Sequence, residues 1–193
     1  MSISQDILAY WLDEVGLKGW YQPWDGLDQD IRNRFLETWQ AAAEGSFGLW
    51  LTYPSDTLAY VILTDQFPRN MFRGEGRAFS TDRVALAAAK VAVERKWDLK
   101  IDPPARQFFY LPMMHSENLS DQDRCVRLMK ERLPESGDNL FHAKAHREVI
   151  RQFGRFPYRN EALGRATTAA EKVYLDAGGY GHTVRQMQAP AAE

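Results

Sequence analysis

The chain has 193 residues, 45% of them hydrophobic, which is enough for one sizeable core and fits one domain or two small ones. Its 24 basic and 26 acidic side chains leave a net charge of −2, so no global electrostatic pull toward nucleic acid or an anionic membrane exists. A lone cysteine, Cys125, excludes an internal disulfide framework and a thiolate metal cluster, and no apolar run approaches the roughly 20 residues that a bilayer span needs.

Period-2 alternation is nearly absent while helical punctuation recurs, which predicts an all-α fold of seven to eight helices. Ser4 is placed to cap a first helix with Ile7, Leu8, Trp11, Leu12 and Val15 on one face, stopped at Gly16. Residues 18–26, rich in Trp, Pro and Gly, read as a loop. Asp28 opens a second helix carrying Ile31, Phe35, Trp39 and Ala42. Ser55 opens a third with Leu58, Val61, Ile62 and Asp65, and Pro68 is expected to close it, because proline disfavours helical backbone at Phe67. After a Gly-containing loop, Ser80 or Thr81 caps an Ala-rich helix through about Lys96.

Pro103 and Pro104 introduce a fifth helix with Phe108, Phe109 and Leu111, interrupted at Pro112. Ser120 with Asp123 resembles a capping box for a sixth, which stops at Pro134. The seventh runs from about Asp138 to Phe153 with Gly154 as its C-terminal cap, and Thr168 with Glu171 forms a capping box for a short eighth. Residues 183–193 read as a frayed tail. With no low-complexity linker, the chain reads as a single helical domain over 1–193, built of antiparallel helix pairs. The N-terminus shows neither the basic stretch nor the apolar run of a signal peptide, so a cytoplasmic location is expected.

Three constellations can carry chemistry. Phe67-Pro68-Arg69-Asn70 returns, with one tyrosine inserted, as Phe156-Pro157-Tyr158-Arg159-Asn160. In each copy Pro fixes the backbone, Phe anchors, and Arg stands on a short pre-shaped segment that suits a bidentate clamp for carboxylate or phosphate. The same Arg and Asn equally suit carbonyls stranded at a helix end. Asp65 shares the apolar face of Val61 and Ile62, so its carboxylate needs a partner, for which Arg69 stands four residues on, or a perturbed pKa.

Leu111 to Glu117 places His115, Ser116 and Glu117 just past Pro112, as acid/base groups or as helix-end caps. His142 and His146 lie four apart, but His-Ala-Lys-Ala-His lacks the glutamate of the metalloprotease motif, and no metal or other cofactor is expected.

Taken in order, Leu63 to Asn70, Arg77-Ala78-Phe79 with Asp82, Leu111 to Glu117, His146-Arg147 and Phe153 to Asn160 resemble a bacterial family of uncharacterised proteins, domain of unknown function 924, over most of residues 6–180. Tyr158 stands where that family more often has His. The resemblance implies a tetratricopeptide-like stack of helix pairs and supplies no reaction. It marks Asp65, Gln66, Arg69, Asn70, His115, Ser116, Glu117, His146, Arg155, Arg159 and Asn160 as the polar positions of the family pattern.

Two functions follow as expectations. In one, Arg69, Arg155 and Arg159, with Gln66, Asn70, Ser116 and Asn160, bind a small anionic molecule while Asp65, His115, Glu117 and His146 serve as acid/base groups. In the other, a tetratricopeptide-like scaffold grips a peptide or protein and the polar motifs are structural. Neither involves nucleic acid or membrane, and oligomeric state is not legible.

Overall fold

Ser2, not Ser4, caps the first helix: its hydroxyl accepts the Gln5 N–H while the Gln5 side chain accepts the Ser2 N–H. Ser4 is buried instead and donates to Asp56 at 2.7 Å. These details come from a computed structural model that describes residues 2–189. The fold is all-α, with no β-strand among the described residues. The chain divides into two compact units, one ending at Pro112 and the other beginning at Met113.

In the first unit, α1 (Ile3–Leu8) runs into a π-helical stretch, Ala9–Val15, and α2 (Gly16–Tyr21) follows. The expected loop over 18–26 therefore begins with helix. Gly16 does interrupt the helix, at φ 57, but helical turns resume immediately beyond it. α3 (Leu27–Ala43) buries Leu27, Ile31, Phe35, Trp39 and Ala42, the spacing of one helix face.

Pro68 does not end the third predicted helix. α4 (Pro54–Val61) passes through a π-helical turn, Ile62–Gln66, straight into α5 (Phe67–Met71), and Phe67 is helical at φ −60, ψ −41. The missing Pro68 N–H would have met the Thr64 carbonyl. That carbonyl is satisfied by the Thr81 hydroxyl at 2.6 Å, and Thr81 in turn accepts Trp39 Nε1–H at 3.1 Å. The Asp65 carbonyl accepts from Arg69. Side chains thus replace backbone donors, and the helix survives its proline.

α6 (Asp82–Glu94) buries Ala85, Ala88, Ala89 and Ala92, whose small side chains let it pack closely on α4. Tertiary packing centres on Phe67, which meets Phe35 at 4.8 Å and Trp11 at 5.5 Å between ring centroids. The expected fifth helix is a 3₁₀ segment, Ala105–Phe109, followed by α7 (Leu111–Met114).

In the second unit, α8 (Leu119–Arg132) is capped by Asn118, which accepts the Ser120 N–H, rather than by Ser120. It packs along α9 (Gly137–Phe153), and Arg147 on α9 reaches Asp123 on α8 at 3.1 Å. Gly154 ends α9 at φ 69, a left-handed conformation that glycine adopts without steric cost. The capping box of Thr168 and Glu171 opens α10 (Ala169–Asp176) as expected. The segment read as a tail is largely helical, because α11 (Gly179–Gln188) lies there; residues 190–193 fall outside the described part. Its inward side chain, Tyr180, packs against the core of Val149, Ile150, Phe156 and Tyr174.

Candidate functional site

The two related elements lie in different units and use different backbones. In the unit ending at Pro112, Phe67 sits within continuous helix; in the other, Phe156 is extended (φ −91, ψ 104) and Pro157–Arg159 forms a 3₁₀ turn. Both phenylalanines are fully buried, the anchoring role that their position before proline suggests.

Around the first element, Asp65 is 0% exposed and Gln66 donates to its carboxylate. Arg69 lies 3.2 Å from the Asp65 carboxylate and 2.9 Å from that of Asp82. The i, i+4 pairing is therefore present, and two carboxylates surround one guanidinium. Asn70 donates to Asp28 at 2.9 Å, and Arg73 binds the same carboxylate with two nitrogens, at 2.7 and 2.9 Å. Arg73, mainly, and Asn70 hold the Asp28 carboxyl below its ordinary range against the opposing effect of burial.

The second element anchors a larger network. Glu117 accepts the Phe156 N–H at 2.8 Å and is gripped by both terminal nitrogens of Arg165, at 2.7 and 3.1 Å. Arg165 also donates to Asn160 Oδ1 and to the Phe156 carbonyl. Asn160 donates to Glu171, and Arg155 binds Glu171 in the same two-nitrogen manner, at 2.6 and 2.8 Å. Burial opposes ionisation of Glu117, yet Arg165, the Phe156 N–H and the charge of Arg159 together hold it below the usual carboxylate range. Arg155, with the Thr168 N–H, brings Glu171 down to about 2. Ser116 donates to Asp121 and accepts the Asn118 N–H, so it trims the start of α8.

Beside this network lies a cluster of rings. His146 stands 6.4 Å from His115, 5.6 Å from Phe156 and 4.6 Å from Tyr180, centroid to centroid. Its Nδ1 is 2.9 Å from the carbonyl of His142. A carbonyl only accepts, so Nδ1 carries the proton and Nε2 keeps its lone pair. His142 Nδ1 lies 2.7 Å from the Tyr180 hydroxyl. Burial is the chief cause that pushes His146 down to about 3, helped by the charges of His115 and Arg159 and opposed by the His142 carbonyl. Arg159 is 6% exposed, with its guanidinium 4.4 Å over the Phe156 ring. Tyr158 stacks on the other aromatic neighbour, Phe156, at 5.3 Å.

Of the eleven polar positions singled out in the sequence, the unit beginning at Met113 gathers His115, Glu117, His146, Arg159 and Asn160, with Ser116 and Arg155 at its margins. Asp65, Gln66, Arg69 and Asn70 form their own cluster in the other unit. Sequence reasoning missed Arg165, Glu171 and Tyr180 as members. Arg165 and Glu171 sit on no motif that announces a partner at 117 or 155, and Tyr180 was hidden in a glycine-rich stretch read as the approach to a tail.

Comparison with known proteins places these residues in context. A family model described as bacterial protein of unknown function (DUF924) matches residues 7–179. Among solved structures, the chain is similar to the protein of unknown function ATU0120 from Agrobacterium tumefaciens, with 37% identity and a TM-score of 0.85, over 91% of this chain and 98% of that one. No curated protein matches the chain.

Proposed function

The chain belongs to the DUF924 family of bacterial proteins of unknown function, and from that premise we propose that its second unit binds a small anionic molecule. Arg159 holds the anionic group, and His146 Nε2 accepts a hydrogen bond from a hydroxyl or amine of the same ligand. The observation that carries this reading is the orientation of His146. With its proton committed to the His142 carbonyl, the ring offers a lone pair beside a buried arginine. Positive charge gathers here: Arg159 acts on both Glu117 and His146, and Arg155 and Arg165 belong to the same network.

Binding is favoured over general-base catalysis. A histidine held near 3 is a poor proton acceptor at neutral pH, since a base works best with a pKa near the working pH. A bound anion raises that pKa, so binding is coupled to basicity at His146. In this reading His115, whose ring lies 6.4 Å from that of His146, is its neighbour in the same binding site. Glu117 serves by positioning the Phe156 backbone.

A second reading, the tetratricopeptide-like scaffold that grips a peptide, draws on the lengthwise packing of α8 on α9 across the short connection 133–136. We also assign the protein to the cytoplasm. Cys125 is buried, with its thiol pushed up to about 12, and offers nothing to oxidative cross-linking.

The test is a thermal-shift and calorimetric screen of phosphorylated and carboxylated metabolites against wild type, Arg159→Lys and His146→Gln. Ligand at a hundredfold excess over Kd stabilises the wild type by about 2.7 kcal/mol. Arg159→Lys and His146→Gln each bind that anion more weakly than the wild type does. If no anion shifts the wild type at millimolar concentration, the reading fails.

A further inference from the structure

The small residues that let α6 approach α4 leave an open cleft of about 260 Å³ in the unit ending at Pro112. Its walls are Leu51, Val84, Ala87, Ala88 and Val91, with Trp97 closing one side. Two hydroxyls belong to the lining, and they differ. Thr57 is already spent on the Trp50 carbonyl at 2.9 Å. Tyr60 is only 6% exposed, and its hydroxyl meets no hydrogen-bond partner among the described residues. The hydroxyl is therefore open to the cleft, where a bound molecule can reach it. Burial alone raises its pKa, so it stays a neutral phenol at physiological pH.

No carboxylate or cation lines the cleft itself. Arg95 lies outside its lining, stacked 4.8 Å from the Trp97 ring and within 3.5 Å of the Leu51 carbonyl, where it braces two wall residues. A charged group inside would lose its hydration with nothing to compensate. An apolar cavity of about 150 Å³ takes benzene, so this volume suits a fused ring or a ring with a short side chain.

We propose that the cleft between α4 and α6 binds a small, neutral, largely apolar molecule bearing one oxygen, whose ring body lies against Trp97 and Val91 and whose oxygen bonds the Tyr60 hydroxyl. This site shares no residue with the Arg159–His146 cluster and stands or falls separately from it.

Naphthalen-1-ol, naphthalene and 1-naphthoate are the probes, titrated calorimetrically into the full chain as wild type, Tyr60→Phe and Ala87→Leu. The wild type binds the alcohol saturably and prefers it over naphthalene by roughly threefold to tenfold, the worth of one neutral hydrogen bond. Naphthoate binds more weakly than the alcohol. Tyr60→Phe keeps the ring and the melting temperature, because the hydroxyl has no partner to lose, and brings the two neutral probes to equal affinity. Ala87→Leu, on an exposed helical position that accepts leucine, blocks the mouth and abolishes binding of both.

Absence of saturable binding, a preference for the alcohol that survives Tyr60→Phe, or tightest binding by naphthoate each overturns the proposal. So does a concentration-dependent dimer that Ala87→Glu dissolves, since a second copy would then be the occupant.

Discussion

Arg69 brings one positive charge to two carboxylates, and one of these, Asp65, has no exposed surface. Removing the cation from a buried carboxylate generally costs more than the ion pair itself contributes, because desolvation of the remaining charge is no longer offset. Arg69→Ala is therefore expected to lower stability by about 3–5 kcal/mol, read from urea unfolding, and a loss below about 1 kcal/mol would show the pair to be dispensable. His146 gives a prediction in pH. Its folded-state pKa, about 3, lies below the ordinary imidazole value of 6.5, so the unfolded chain binds the extra proton between them. The stability contribution is complete above about 6.5 and is lost as pH falls toward 3, at about 1.4 kcal/mol per pH unit while one proton is taken up. His146→Phe should flatten the unfolding free energy between pH 6 and 5; an unchanged slope would place the proton elsewhere.

At the scale of an element, the helix through Pro68 depends on a residue from another part of the chain. Thr81 joins the Trp39 indole to the Thr64 carbonyl that proline leaves without a donor. Thr81→Val keeps the shape and strands both groups, at about 1–3 kcal/mol for each. Trp39→Phe should cost less on the Thr81→Val background than on the wild type, because the donor it removes is already stranded there; additive losses would break the chain of bonds from Trp39 to Thr64. Sequence periodicity located α3, α6, α9 and α10 within a few residues, because their apolar faces and caps are local features. Pro68 misled because proline's local cost was the only term visible, whereas the donors that offset it come from Arg69 and Thr81.

For the whole molecule, acid lability is read from the groups held below their ordinary pKa. Glu117, His146 and Glu171 are held below their ordinary pKa in the unit beginning at Met113, and Asp28 is held so in the other. All four shifts run in the same direction, so acid weakens the fold wherever they sit. Hydrogen exchange at pH 4 is expected to lose protection in α9 and α10 before α3 and α6, whereas protection at pH 7 should not follow that order. Simultaneous loss in both units would mean that the Arg165–Glu117 and Arg155–Glu171 pairs do not govern acid lability.

The sequence by itself determined the all-α class, the Phe anchors before each proline, the Gly154 stop and the Thr168 capping box. Each of these depends on neighbours within a few residues, where spacing and side-chain type decide the outcome. Only tertiary structure decided which cation meets which carboxylate. Arg155 is joined to Glu171, and Glu117 to Arg165 across 48 residues, because folding brought them within reach and burial made pairing obligatory. The same folding left Tyr60 lining a cleft, which no periodicity in the chain encodes.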